Sequence, residues 1–439
     1  MSQDPVIDLI NREQIRQTQK IGLIPSENNT SPEVSRVLNS CLSNKYSEGY
    51  PGRRYYEGNQ IIDEIEVMAQ KRVKELFGVP YVNVQPYSGS PANLAIYMAL
   101  MQPGDTLMGL QLAAGGHLTH GHPKVTASGS FYKSVQYGVG EDAKVDFDAL
   151  KILAKKHQPK VIVVGNTAYP FIMEFDKFRQ VADEVGAWLV ADISHVTGLV
   201  ISGDHPSPVA DADVIMSTTH KTFRGPRGAM IMVTQRGLQR DADLGKKIDA
   251  AIIPGLQGGP HNATTAAIAI AAGEAAQPEF KSYGHQIRKN ADALAQALQN
   301  AGLKLVGNGT QTHLMVIDLT PFGSGLGLQV AYALDAAGIY ANRNTVPSEP
   351  SSPFYPSGLR VGTPLVTTRG MKEPEMRQIG AWIGRVVELV KDQTLPVGKT
   401  ERNQFIREFR VWADQNSALG EIKLEVRELA GKFPLFSWH

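Results

Sequence analysis

The chain has 439 residues, 42% of them hydrophobic and 20% charged, enough for two or three domains at roughly 100–200 residues each. Lys and Arg total 44 against 43 for Asp and Glu, a formal net charge of +1, which leaves no electrostatic footprint for nucleic acid or an anionic membrane. A single cysteine, Cys41, excludes an internal disulfide and no Cys/His run has metal-ligand spacing, so a reducing, cytoplasmic setting without a resident metal is expected.

The first residues, MSQDPVIDLINREQ, lack the basic and continuous apolar regions of a secretory signal and are too acidic for a transit peptide. Cys41 reads as a small buried hydrophobe. From Ile61 helical and strand patterns alternate. Ile62, Ile65, Ala69, Val73 and Leu76 recur at helical spacing before Gly78, a C-terminal stop. Tyr81–Gln85 reads as a strand. Ser90 then reads as an N-cap and Pro91 as the first residue of a helix reaching Met101. Thr106–Leu110, Lys160–Val164, Ala187–Ala191, Asp213–Ser217 and Ala229–Val233 are short apolar runs of the kind found in strands buried on both faces, with a helix at Phe175–Val185. The longest apolar stretch, near Thr264 to Ala272, belongs to an Ala-rich helix (Thr264–Ala276) and is too short to span a bilayer.

Further on the character changes. A helix is expected at Gln286–Ala301, strands near Leu303–Val306 and Leu314–Ile317, and a helix at Leu328–Ala337. A Pro/Ser-rich loop follows from Val346 to Gly358, then helices near Glu373–Asp392, Arg402–Asn416 and Gly420–Gly431. Strands alternating with helices imply an α/β fold with a mainly parallel sheet. The division expected is an N-terminal arm at 1–20, a large α/β domain at 21–277 and a smaller C-terminal α+β domain at 278–439.

In such a sheet ligands bind beyond the carboxyl ends of the strands, and chemistry-bearing residues collect there. Asp192 ends one strand, Lys221 lies four residues beyond another, and Ser88-Gly89-Ser90 leads into a helix N-terminus suited to a phosphate. A lysine, a carboxylate and a phosphate cradle are the requirements of pyridoxal 5'-phosphate (PLP). Each piece has an ordinary reading too: a solvated loop lysine, a capping aspartate, a small-residue turn. Spacing leaves both open. His117, His120, His195 and His220 are too scattered for a metal site, and Arg53-Arg54 with Tyr55-Tyr56 reads as a solvated edge or, against the neutral charge, an RNA-stacking patch.

Longer words carry more information. NKYSEGYPGRRYYEG (44–58), GGHLTHG (115–121), ADISHVTGLV (191–200), STTHKTFRGPRG (217–228), GLQGGPHN (255–262) and GLRVGTP (358–364) resemble, in order, the signature segments of the serine hydroxymethyltransferase family. The resemblance covers nearly the whole chain. It implies a fold-type I PLP-dependent transferase, a homodimer or homotetramer with shared active sites. It also implies reversible transfer of the serine hydroxymethyl carbon to tetrahydrofolate, giving glycine and 5,10-methylenetetrahydrofolate. The alternative is a folate-independent PLP aldolase or hydroxymethyltransferase acting on threonine-like or α-methyl amino acids.

Carried over residue by residue, the resemblance makes Lys221 the cofactor-binding lysine, Asp192 the partner of the pyridine nitrogen and His117 the ring that stacks on it, with His195 near the phenolic oxygen. Ser88, Gly89, Ser90 and His220 fall at the phosphate, with Gly258 and Gly259 reaching it from a neighbouring subunit. Thr167, Ser26, Tyr46, Tyr56 and Arg227 complete the cofactor contacts. Glu48 becomes the principal proton-transfer carboxylate, with Tyr56, Thr218 and His220 in the catalytic set. Arg360 holds the substrate carboxylate, with Tyr55 and Ser26 nearby. Leu112, Gly116, Leu118, Asn344, Ser352, Pro353 and Phe354 serve the folate. Departures from the commonest family words are Pro25, Glu57, Pro91, Ala114 and Ser194, none of them at the lysine, aspartate, arginine or principal glutamate.

Overall fold

The computed structural model describes residues 4–436. They form two compact units, residues 28–285 and residues 4–27 with 286–436. The first unit is built on a seven-stranded sheet in the order Tyr81–Asn83, Ala229–Val233, Val214–Thr218, Trp188–Asp192, Val161–Gly165, Thr106–Leu110 and Lys133–Tyr137. Neighbours are parallel except at Ala229–Val233, which is antiparallel to both strands beside it. Every residue of Val161–Gly165, Val214–Thr218 and Ala229–Val233 is buried, as continuous apolar strands between helical layers must be. Helix Gln60–Phe77 ends on Gly78 in the left-handed conformation (φ 68°), the stop expected from the sequence.

The second unit holds a four-stranded antiparallel sheet in the order Lys304–Leu305, Leu314–Asp318, Gly358–Gly362 and Asn342–Asn344. Helices Gly327–Ala336, Glu373–Val390, Lys399–Gln415 and Ser417–Lys432 belong to the same unit, and its core runs from Ile21 and Leu23 to Val426 and Ala430.

Both boundaries of this grouping differ from those read in the sequence, for a physical reason. Ile21–Gly22 pairs in parallel with Ile339–Tyr340, and the Gly362 N–H donates to the Leu23 carbonyl at 2.8 Å. These contacts tie residues 21–27 to the C-terminal part, although a two-residue strand has no readable period. Helix Pro278–Asn300 starts eight residues before the expected position, and the boundary at 285/286 falls inside it. Its Gly284, a poor helix former, sits where a Cβ would collide with Ser202.

The N-terminal arm is a helix, Pro5–Gln19, without a buried residue. Cys41 is exposed rather than buried, because it opens a four-residue 3-10 turn that buries nothing. The helix after Gln85 spans Gly89–Leu100, with Ser88 rather than Ser90 at its N-cap. Pro91 is therefore its third residue, so only Gly89 and Ser90 offer free N–H groups in the first turn.

Candidate active site

Asp192 ends its strand beside the buried strand Val214–Thr218, which leads into Lys221. The Asp192 side chain is 8% exposed and held by three donors. His120 Nε2 (2.9 Å) and Asn93 Nδ2 (3.0 Å) reach Oδ2, and the Ser194 N–H (3.1 Å) reaches Oδ1. Burial by itself would raise this carboxyl; the His120 hydrogen bond and the charge of Lys221 outweigh it and hold the group well below the usual carboxylate range. The strands make room for the arrangement with glycine. A Cβ at Gly165 would lie 2.7 Å from Asp192 Cβ and 2.9 Å from His120 Cε1, and one at Gly109 would overlap the His120 backbone.

The lysine loop is equally constrained. Gly225 N–H donates to Thr219 O (2.7 Å), Thr219 Oγ1 to Pro226 O (2.6 Å), and Arg224 N–H to Lys221 O (3.1 Å). Arg224 takes a left-handed conformation (φ 59°) to close the turn. Asn28 Nδ2 holds the Lys221 carbonyl at 2.9 Å, and the lysine itself is buried. Thr222 Oγ1 donates to the carbonyl of buried His195 (3.0 Å). Ser194 Oγ accepts the Thr218 N–H at 2.9 Å and so links the aspartate turn to the neighbouring strand.

Two buried polar atoms in this loop have no hydrogen-bond partner, Thr218 Oγ1 and His220 Nδ1. Burial, with Lys221 and Arg227 nearby, pushes the His220 ring down to about 3, so it is neutral near pH 7. Gly89 at the start of its helix packs against Thr218, where a Cβ would be 2.7 Å from Cγ2. Orphaned polar atoms beside a helix N-terminus with free N–H groups form a fitting cradle for an anionic group such as the cofactor phosphate. Ser90 and Arg227 are exposed, and Ser88 and Gly89 half-buried.

The Gly115-Gly116 turn brings the next residues in. Gly115 is at φ 97°, and a Cβ on Gly116 would overlap the Leu110 carbonyl. Thr167 N–H donates to Gly115 O (2.7 Å) and its hydroxyl to Gly116 O (2.9 Å). His117 Nδ1 accepts the Thr119 N–H (3.1 Å) and meets the Thr119 hydroxyl at 2.7 Å. Leu112 is half-buried, Ala114 buried and Leu118 exposed.

A second cluster surrounds Glu48. Its N–H donates to the Tyr56 hydroxyl (2.8 Å) and its carbonyl accepts the Tyr55 N–H (3.1 Å). Tyr46 is 61% and Tyr55 67% exposed, and Glu57 is exposed beside them. A Cβ on Gly258 would lie 3.3 Å from Glu48 Oε1, and one on Gly259 2.9 Å from the Tyr46 ring. The Tyr87 hydroxyl fixes that glycine loop by donating to Gly259 O at 2.6 Å. Sequence reasoning missed the residue beneath this cluster. Arg54, only 4% exposed, pairs with Asp63 and Glu66 at 2.8 Å each. It also donates to the carbonyls of Ser47 (2.9 Å) and Gly49 (2.8 Å), on either side of Glu48. It is no solvated edge. Asp63 and Glu66 on the following helix were the available signal.

The remaining expected site residues lie in the other unit. Arg360 is buried in strand Gly358–Gly362, with Nε donating to Asn342 Oδ1 at 3.0 Å. Burial lowers its guanidinium to about 10, so it stays protonated near neutral pH. Asn344 ends the adjacent strand, Ser352 and Tyr355 close a turn, and Pro353 and Phe354 are exposed at its tip. Ser26 follows Pro25, which packs against Gly362.

The family profile described as serine hydroxymethyltransferase matches residues 1–383. The chain is 57% identical over 389 residues to a serine hydroxymethyltransferase of Acidothermus cellulolyticus, covering 88% of this chain and 89% of that one. The corresponding protein of Sorangium cellulosum is 54% identical over 89% and 90% of the two chains, and that of Desulfotalea psychrophila 48% identical over 98% and 94%. Each coverage exceeds two thirds of both proteins, and by these matches the chain belongs to the serine hydroxymethyltransferase family.

Proposed function

We propose that this protein catalyses reversible transfer of the serine hydroxymethyl carbon to tetrahydrofolate, giving glycine and 5,10-methylenetetrahydrofolate, with PLP held at Lys221. The observation that carries the site assignment is the buried Lys221 loop beside a triply hydrogen-bonded Asp192, with the orphaned Thr218 Oγ1 and His220 Nδ1 near the start of helix Gly89–Leu100. The cofactor, once bound, supplies the electron sink that stabilises a carbanion at the glycine Cα.

The chain's own residues do the rest. Asp192, held as a carboxylate, keeps a proton on the pyridine nitrogen, and His117 offers the flat face of its ring. The Gly89 and Ser90 N–H groups, the Thr218 hydroxyl and neutral His220 hold the phosphate; Ser88, Thr167, His195, Arg227, Gly258, Gly259, Ser26, Tyr46 and Tyr56 complete the cofactor contacts. Arg360 binds the amino-acid carboxylate with its planar fork, a geometry lysine does not reproduce, and Tyr55 and Ser26 border the substrate. Glu48 moves the proton of the substrate hydroxymethyl oxygen. Leu112, Gly116, Leu118, Asn344, Ser352, Pro353 and Phe354 contact the folate. A cytoplasmic setting and a homodimer or homotetramer with shared active sites belong to the same reading, supported by family membership.

The test is the absorption spectrum of protein reconstituted with PLP, before and after glycine and then tetrahydrofolate. Lysine-bound cofactor gives visible absorbance, and a new long-wavelength band that grows with folate is expected. Glycine release is then compared for serine and allo-threonine with and without folate. Colourless protein overturns the lysine assignment; a folate-indifferent spectrum with cleavage of allo-threonine alone moves the protein to the aldolase class.

A further inference from the structure

Helix Gly89–Leu100 is apolar apart from its first residues, yet it carries Asn93, fully buried. A buried amide costs free energy unless its donors and acceptors are used. Asn93 uses only its donors. Nδ2 reaches Asp192 Oδ2 at 3.0 Å and Thr119 Oγ1 at 2.9 Å, while Oδ1 is buried without a hydrogen-bond partner. A flipped amide would set its carbonyl oxygen against the Asp192 carboxylate, so the orientation is fixed.

The proton positions then follow around the cluster. Thr119 Oγ1 accepts from Asn93, so its own proton is available to His117 Nδ1 at 2.7 Å. His117 Nδ1 also accepts the Thr119 N–H at 3.1 Å, so the hydroxyl and the N–H of Thr119 meet the same ring nitrogen. On the other side, His120 donates to Asp192 through Nε2, and its Nδ1 is buried without a hydrogen-bond partner. One amide thus joins the carboxylate to the ring of His117 through a single threonine.

We infer that Asn93 is a positioning residue that couples Asp192 to His117 through Thr119, fixing the orientation of both side chains toward the cofactor ring. An aliphatic side chain would fill the same place without leaving an acceptor unsatisfied. The amide therefore serves the alignment of two groups that come from different parts of the chain. The inference rests on the proposed cofactor site, and its test separates the two.

Apo-protein is titrated with PLP for wild type, Asn93→Ala, Thr119→Val and the double variant, and the pH midpoint of the bound cofactor's visible absorbance is recorded for each. Loss of a hydrogen bond to a charged group predicts a dissociation constant roughly 10- to 100-fold higher for Asn93→Ala. The double variant is expected to match the worse single variant rather than the product of the two, because both cut one chain of contacts. The absorbance midpoint shifts in Asn93→Ala, as a merely space-filling residue would not require. Asn93→Asp, isosteric, sets a second carboxyl against Asp192 and binds PLP less well than wild type. Equal affinity and an unmoved midpoint in Asn93→Ala, or fully additive losses, overturn the coupling. Wild-type protein that takes up no PLP overturns the cofactor reading instead.

Discussion

Asp192 and Glu48 are both carboxylates of the 28–285 unit, and the fold holds them in opposite ways. Asp192 is enclosed, accepts three hydrogen bonds through its side chain, and sits where strand glycines have cleared space for its partner His120. Glu48 is fixed through its backbone, by Tyr55, Tyr56 and the Arg54 strap, among tyrosines that stand open to solvent. Saturating the side-chain oxygens in a low-dielectric site locks a charge in place. Fixing the main chain instead orders the turn that carries the side chain. The difference fits the proposed roles, a fixed counter-charge for Asp192 and a proton-transfer group for Glu48.

The comparison breaks most decisively at Glu48. In Glu48→Gln, folate-dependent cleavage of serine should fall by roughly 10²–10⁴-fold, the usual contribution of a proton-transferring group. PLP uptake and melting temperature should stay at wild-type values; steady-state kinetics beside a melting curve check both. Asp192→Ala should instead act on PLP uptake, with turnover falling as a consequence. Removing the charge leaves His120 Nε2 and Asn93 Nδ2 without their acceptor and the cofactor without its counter-charge, and loss of a hydrogen bond to a charged group predicts a PLP dissociation constant raised by at least roughly 10-fold. If PLP uptake falls equally in the two variants, the two carboxylates do not differ in function.

Arg54→Met sharpens the comparison by attacking the strap rather than the carboxyl. Asp63 and Glu66 lose a shared partner, and two carbonyls flanking Glu48 lose their donor. Denaturant unfolding should show a loss of about 3–5 kcal/mol, together with reduced turnover in the folded fraction. A fully active, equally stable variant would show that the Glu48 turn needs no support from below.

The smallest effect concerns a buried histidine away from both clusters. His205 accepts the Met173 N–H at Nε2 (3.2 Å), and burial pushes it down to about 4 from its ordinary 6.5. Its neutral form is favoured in the folded state, so the unfolded chain binds more protons between those values. The stability it contributes is complete above pH 6.5 and is lost as pH falls toward 4, by at most about 3 kcal/mol. Unfolding free energies measured across that window should flatten in His205→Gln. An unchanged slope would remove His205 from the acid response.

Much of this was legible in the sequence. Strands such as Thr106–Leu110 and Ala229–Val233 and helix Phe175–Val185 stand where apolar runs and periodicity put them, because burial on both faces of a sheet demands an unbroken apolar strand. Lys221 and Asp192 were readable as residues just beyond strand ends, and the multi-residue words named the family. The start of helix Gly89–Leu100 was misplaced by two residues, since Ser88, Gly89 and Ser90 offer similar local chemistry and only the backbone decides among them.

The sequence by itself therefore determined the α/β class and the family and marked out the candidate site residues, all of which depend on local pattern or on contiguous words. Tertiary structure alone decided which neighbours complete them. Asn93, Thr119 and His120 gather on Asp192 and His117 from separate elements, and Arg54 turns inward beneath Glu48 to meet Asp63 and Glu66. It likewise decided that residues 21–27 join the C-terminal part through a two-residue strand. Hydrogen bonds between residues distant in sequence leave no periodicity behind; they exist only once the chain has folded and buried the groups that must find partners.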